Sequence, residues 1–335
     1  MPSNNLPERQ NNFAEPRVLW LGGATLAVLI LVFVSIVTGA AKMSLGQVLT
    51  GQADLDQLMV LTVSRLPRTL ALLLAGSAMA VAGLVMQLMV QNRYVEPATT
   101  GVTESAGLGV LVAVLFFPTL AMWARMLVAV CFALAGTALL MGLVSSLRYR
   151  DPIVVPLLGI VLSGIIGAAS TFLAWQFEMQ GMLNLWLTGD FSGIIKGRYE
   201  LLWVVAAMCV LAYLFADTFT VVGLGKNFSE SLGVSHRAIT ALGLAIVATV
   251  AGVSTVVTGT LPFLGLIVPN LTSLILGDYM RRSLPLVALG GAFFVLVSDI
   301  IGRTLIAPAE IPVGVVMGVI GAAIFIGFLL KTVKR

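Results

Sequence analysis

Asp217 to Arg237 reads DTFTVVGLGKNFSESLGVSHR. It is the most polar interruption in an otherwise lipid-like sequence, and apolar segments long enough to cross a bilayer flank it on both sides. It holds His236, the only histidine of the chain, with Asp217, Lys226, Glu230 and Arg237. Helices that merely pack together in a membrane do not need so polar an insertion. The loop therefore reads as a socket for a cytoplasmic partner that does the energy chemistry, or else as an ordinary solvated connection.

The rest of the chain is built for lipid. Of its 335 residues 59% are hydrophobic and only 10% charged, against about 25% charged in an ordinary soluble domain. The 34 glycines suit membrane helices, which use glycine more than soluble ones do. The alternating segments of ~10 residues that mark a β-barrel are absent. The fold class is an all-α polytopic membrane protein. The net charge of +4 says nothing for nucleic acid, because the basic residues sit beside the apolar segments and not in one patch. Cys131 and Cys209 lie inside apolar segments and read as buried small hydrophobes. Residues 1–17 lack the apolar core of a signal peptide and read as a cytoplasmic tail. They precede a membrane domain over 18–331 and a short cytoplasmic tail over 332–335.

A span needs ~20 apolar residues. The candidates are 18–40, 67–90, 100–117, 122–146, 153–176, 200–216, 238–258, 261–276, 285–304 and 311–330, ten in all. The eighth is short and starts directly after Gly259-Thr260-Leu261-Pro262, so a re-entrant segment is the alternative. With both termini inside, seven basic residues fall outside: Lys42, Arg65, Arg68, Arg125, Lys196, Arg198 and Arg303. The other twelve of the nineteen fall inside, which the positive-inside bias favours. The same orientation places 217–237 in the cytoplasm and leaves Arg65, Arg68 and Arg303 outside, against the rule.

Several residues stand out along the way. The first outer loop, 41–66, reads as a surface helix, with Pro67 in the first turn of the next span, where its missing N–H costs nothing. Met79, Met86 and Met89 form a stripe that is either packing or a soft surface for a bulky ligand. Glu104 enters the third span and is ionisable at membrane depth, a functional signal by default; alternatively it rests near the interface on a hydroxyl such as Thr100 or Ser105. Gly159, Ser163 and Gly167 in the fifth candidate span repeat every four residues. So do Gly314, Gly318 and Ala322 in the last. Such faces let helices approach closely or form a smooth pathway wall. Asn184, Trp186, Gly189 and Gly193 suggest an amphipathic helix and turn on the outer surface. Asp299 and Arg303 share a helix face, and Glu310 stands near the start of the last span, where the helix dipole favours an acid.

What is missing narrows the function. There is no G-x-x-x-x-G-K-[ST] loop; Gly223-Leu224-Gly225-Lys226-Asn227 lacks both the spacing and the hydroxyl. One histidine excludes H-E-x-x-H, and no catalytic constellation or metal-ligand set is visible. Mid-bilayer carboxylates of the kind that ion-coupled carriers use are scarce, Glu104 excepted. The chain is read as a carrier whose energy comes from elsewhere.

An ordered set of motifs then resembles the FecCD-type permeases of ABC importers, which take up ferric siderophores, haem and vitamin B12. The set is Arg65-Leu66-Pro67-Arg68-Thr69-Leu70-Ala71, Gly83 to Asn92, Thr100-Gly101-Val102, Ser231-Leu232-Gly233-Val234, Gly259 to Pro269, Asp299 to Arg303 and Glu310-Ile311-Pro312-Val313-Gly314. It covers nearly the whole chain after residue 40. The resemblance implies ten spans in the type II importer fold and a dimer with a second permease, a heterodimer in preference to a homodimer. It also implies two cytoplasmic ATPases holding the ATP and magnesium, a substrate-binding protein outside, and residence in the bacterial cytoplasmic membrane. On it, Glu230, Ser231, Leu232, Gly233 and Val234 form the ATPase contact. Arg65, Arg68 and Arg303 face acidic residues of the binding protein. The small faces of the fifth and last spans gain weight as pathway wall. Two departures, Asn270 and Ser273 in place of a histidine and an arginine, and Thr103-Glu104-Ser105 in place of an uncharged run, are similar to the branch that imports ferric catecholate or mixed siderophores. They make Glu104 and Asn270 candidate gate residues. Haem or vitamin B12 import is the alternative within the fold. An ion-coupled carrier using Glu104, an intramembrane enzyme and a purely structural subunit are the alternatives outside it.

Overall fold

A computed structural model describes residues 14–38, 55–146 and 154–333. The two expected tails, most of the first outer loop and the basic pair Arg148 and Arg150 lie outside the described residues, apart from a few residues beside each helix. Among the described residues the chain is all-helical. Its thirteen α-helices are α1 (Ala14–Val37), α2 (Leu55–Val90), α3 (Val102–Phe116), α4 (Met122–Ser146), α5 (Val154–Gln176), α6 (Gln180–Leu187), α7 (Trp203–Leu214), α8 (Ala216–Gly223), α9 (Lys226–Ser231), α10 (His236–Val257), α11 (Leu264–Leu276), α12 (Met280–Thr304) and α13 (Val313–Val333).

Six of these, α1, α2, α4, α5, α10 and α12, are long and apolar enough to cross a bilayer. The segment holding α7 and α8 passes the same test only as a pair bent by 66°, and α3, α11 and α13 are shorter apolar helices. All ten expected spans therefore have a counterpart in order. α11, with 13 residues, is about 20 Å long at 1.5 Å per residue, less than the ~30 Å of hydrocarbon. The irregular backbone leading into it is covered by protein, as backbone at membrane depth must be: Thr258, Gly259 and Leu261 are buried. Asp190 N donates to Thr258 O at 2.9 Å, and Gly314 N donates to Gly189 O at 2.8 Å.

α2 is the hub, packed against α10, α11, α12 and α7. Its small residues make this possible. A Cβ on Gly83 would lie 2.2 Å from the Gly265 Cα of α11, and one on Gly291 of α12 would lie 2.3 Å from the Gly76 carbonyl. The methionine stripe resolves as packing, since Met79, Met86 and Met89 are buried in this core. The outward faces of α1, α4 and α5 carry Leu, Val, Ile and Phe, an exterior suited to lipid. Cys131 is on that exterior and exposed, not buried as expected, while Cys209 is half-buried.

The start of α2 corrects a second expectation. Residues 55–66 form no separate surface helix. The helix runs unbroken from Leu55, and Pro67 lies well inside it, just after a π-helical turn at Leu61–Arg65. Proline cannot donate to the carbonyl four residues back, so Val63 O is released. It accepts instead from the backbone N–H of Lys196 at 3.0 Å.

Candidate functional sites

Two faces of the bundle carry the polar chemistry. On one lies the unit that connects α7 to α10. α8 buries Ala216, Phe219 and Val222 and is tied to the start of α12. There the Tyr279 hydroxyl donates to Asp217 Oδ1 at 2.7 Å, Arg281 donates to Asp217 Oδ2, and Met280 N donates to Thr220 Oγ1 at 3.2 Å. These bonds, the tyrosine's first, hold the Asp217 carboxyl below the usual carboxylate range.

Two glycines in left-handed conformations, Gly225 (φ 115°) and Gly233 (φ 75°), bracket α9, a backbone state that glycine enters without steric cost. Ser229 is fully buried, with its hydroxyl 3.0 Å from Gly225 O and 3.1 Å from Nδ1 of His236. Val234 N donates to Ser229 O at 2.9 Å. Of the expected contact residues, Glu230, Ser231, Leu232 and Gly233 are exposed and Val234 packs partly into the core. Sequence reasoning missed Leu224 and Phe228. With Leu232 they are apolar side chains on a polar loop, each about half exposed or more.

Beside this unit opens a cavity of about 440 Å³ between the ends of α2, α8 and α11 and the start of α12, lined by Gln91, Arg93, Asn270, Asp278 and Tyr279 among others. Asn270 does not hang free in it: its Nδ2 donates to Arg93 O at 2.9 Å and to Leu266 O at 2.7 Å.

The opposite face brings together Arg65, Arg68, Asp299, Arg303 and Glu310, and here the expected outward-facing arginines are corrected. Arg65 and Arg303 turn inward to the C-terminus of α1, whose last carbonyls have no partner within the helix. Arg65 Nη1 donates to Ile36 O (2.8 Å) and Val37 O (3.0 Å). Arg303 Nη1 donates to Ser35 O (3.1 Å) and Thr38 O (2.6 Å). Both guanidinium groups are buried, placing cations where the helix dipole is negative. Asp299 is 0% exposed and holds Arg303 at 2.5 Å and Arg68 at 2.8 Å. Arg68 also reaches Glu310 at 2.8 Å. The local pair read from the Asp299/Arg303 spacing thus becomes a four-membered network.

The two small-residue faces split. Gly159 is packed on the backbone of Thr99 and Thr100, and Gly314 on Gly189; both serve close packing within the chain. Ser163, Gly167, Gly318 and Ala322 remain half-exposed on α5 and α13, and a Cβ on Gly167 would meet nothing within 4 Å. Glu104 accepts from the Thr103 hydroxyl at 3.1 Å. Thr100 and Ser105 instead turn back to the carbonyls of Glu96 and Gly101. The more deeply placed acid is Glu96, 1% exposed, whose Oε1 accepts from Phe263 N at 3.0 Å, at the start of α11. Nothing in the sequence ties two residues 167 positions apart.

Among the described residues no group of three or more acidic, histidine or cysteine side chains could hold a metal. The chain matches the FecCD transport family over residues 27–331. It is 41% identical over 271 residues to the petrobactin import system permease protein YclN of Bacillus subtilis, covering 81% of this chain and 86% of that one. It is 40% identical over 311 residues to the petrobactin import system permease protein FatD of Bacillus anthracis, covering 93% and 91%. Its fold is similar to that of a metal-chelate type ABC transporter solved in an inward-facing conformation, with a TM-score of 0.78, 24% identity and coverage of 94% of this chain and 99% of that one.

Proposed function

The chain belongs to the FecCD transport family, and from that premise we propose that it is the membrane-spanning permease subunit of an ATP-driven importer for a ferric siderophore of catecholate or mixed type. The observation that carries the substrate class is the 41% identity to a petrobactin import permease across most of both chains. The multi-pass helical architecture fits a conduit.

The α8–α9 unit is where a partner ATPase binds. Its exposed apolar side chains Leu224, Phe228 and Leu232 sit on a polar loop, and an aromatic anchor among exposed residues is the usual centre of an interface. Anchoring at both ends, by Asp217 to α12 and by Ser229 to His236 at the start of α10, lets a push on this unit reach two long helices as a rigid displacement. ATP and magnesium belong to that partner. The Arg68 face receives an acidic substrate-binding protein. A second permease, different from this one, completes the pathway along the open parts of α5 and α13, at Ser163, Gly167, Gly318 and Ala322. Both termini and the α8–α9 unit lie on the cytoplasmic side of the bacterial inner membrane. Glu104 and Asn270 act as internal ties at the edge of the pathway.

The test is reconstitution. The chain, co-expressed with its neighbouring permease and ATPase, is placed in liposomes, and uptake of ferric petrobactin by the loaded binding protein is measured with and without ATP. ATP-dependent uptake supports the reading. Uptake by this chain alone under a proton or sodium gradient, lost in Glu104→Gln, would replace it with an ion-coupled carrier.

A further inference from the structure

Arg68 has two acidic partners of different character. Asp299 is fully buried and accepts from both Nε (3.0 Å) and Nη2 (2.8 Å) of Arg68, while also holding Arg303. Glu310 takes only Nη1, at 2.8 Å, and is one-third exposed, whereas Arg68 itself is only 12% exposed. Glu310 therefore covers the Nη1 edge of a guanidinium whose other bonds among the described residues go to the buried Asp299. It sits in the turn between α12 and α13. The next residue, Ile311, donates its N–H to Gly302 O at 3.0 Å, and the Ile311 carbonyl approaches so closely that a Cβ on Gly302 would lie 2.5 Å from it.

We propose that Glu310 is a built-in competitor for the partner's carboxylate, so that docking on this face is an exchange of one carboxylate for another at Arg68. This rests on the reading of the face as the binding-protein site. The buried Asp299 pair stays in place, because breaking it would leave an uncompensated charge inside the protein. The Glu310 pair is at the rim and exchangeable, because water can solvate the displaced acid. The number of ion pairs is unchanged by the exchange. It follows that the contact contributes less net affinity than Arg68 would give without Glu310, and that it also sets register and partner choice. Releasing Glu310 also frees the turn that leads into α13, so occupancy of the outer face is felt at the first turn of a helix proposed to line the pathway.

The assembled importer in nanodiscs is titrated with a petrobactin-binding substrate-binding protein, loaded with ferric petrobactin, by surface plasmon resonance at low and high salt. Variants Glu310→Ala, Glu310→Gln and Arg68→Gln are compared, with co-purification of all subunits as the check on assembly. Removing the competitor strengthens binding in both Glu310 variants by roughly two- to fivefold, the scale of one exposed ion pair, and makes it more salt-sensitive. Arg68→Gln weakens binding, and in that background Glu310→Ala has no further effect. Weaker binding in Glu310→Ala together with weaker binding in Arg68→Gln overturns the exchange while leaving the docking face standing. Unchanged binding in Arg68→Gln removes the docking reading, and the exchange with it.

Discussion

The side-chain amide of Gln87 donates to the backbone carbonyl of Gly265 at 3.0 Å, deep in the contact between α2 and α11. That carbonyl is the one that residue 269 would accept as its helical partner, and residue 269 is a proline without an N–H. Gln87, 178 positions away in the chain, supplies the missing donor. Gln87→Leu should therefore lower stability by about 1–3 kcal/mol, the cost of an orphaned buried carbonyl. Adding Pro269→Ala should recover most of the loss, because the N–H returns. Thermal unfolding of the detergent-solubilised chain and its two variants measures both steps, and an additive double mutant would refute this account of Gln87.

The buried network on the opposite face predicts a separation between neighbouring arginines. Arg65→Glu places a carboxylate against the Ile36 and Val37 carbonyls, and Asp299→Ala leaves Arg303 buried without its acid. Each should cost about 3 kcal/mol or more and reduce the yield of folded chain. Arg68→Gln should leave folded yield near that of the parent, since Asp299 keeps Arg303. Monodispersity by size-exclusion chromatography distinguishes these outcomes.

Close approach of helices sets a third expectation. Gly83→Val should destabilise the α2–α11 contact by about 2 kcal/mol or more, as overpacking does, because even a Cβ would sit 2.2 Å from Gly265. Gly22→Val on α1, with nothing within 4 Å, is the control and should be neutral. Melting temperatures of the two variants are the comparison.

At the α8–α9 unit, Phe228→Asp should leave the fold intact, because the side chain is exposed. It should weaken retention of the ATPase roughly 30-fold or more, the loss of an anchor worth about 2 kcal/mol. Co-purification through a tag on this chain reads the effect directly. Full retention of the ATPase would show that Phe228 is not at the contact.

Asp217 carries a pH expectation. Its carboxyl is depressed by the Tyr279 hydroxyl and by Arg281, so its contribution is present above the ordinary carboxylate value of about 3.9. It is lost as pH falls through the depressed one. Melting temperature followed downward from pH 6 should fall less steeply on the acid side in Asp217→Asn than in the parent.

Composition and the spacing of apolar runs were enough to find ten apolar helices in order, because a bilayer demands length and apolarity and both are local properties. The α8–α9 unit was legible for the same reason: it lies in the most polar interruption of a lipid-like sequence, and its glycines mark the turns. The exposed Phe228 escaped notice because an apolar residue in a polar loop is read as packing until its surroundings are known.

The identities of partners inside the bundle were not local. Arg65, Arg68 and Arg303 look alike in sequence, as three cations on the side where the positive-inside rule did not want them. Only the folded chain assigns two of them to the carbonyls at the end of α1 and one to a carboxylate at the rim. Gly159 and Gly167 share a repeat, yet one is pressed against Thr100 and the other is open. What the sequence determined by itself was the order of the ten apolar segments, their extents apart from the early start of α2, and which stretch most strongly breaks the lipid-like pattern, since each follows from the free energy of a continuous segment in lipid. The tertiary structure decided which polar groups satisfy one another, because a buried donor, carbonyl or charge must be met by whatever group the packing brings within about 3 Å, however far away it lies in the chain.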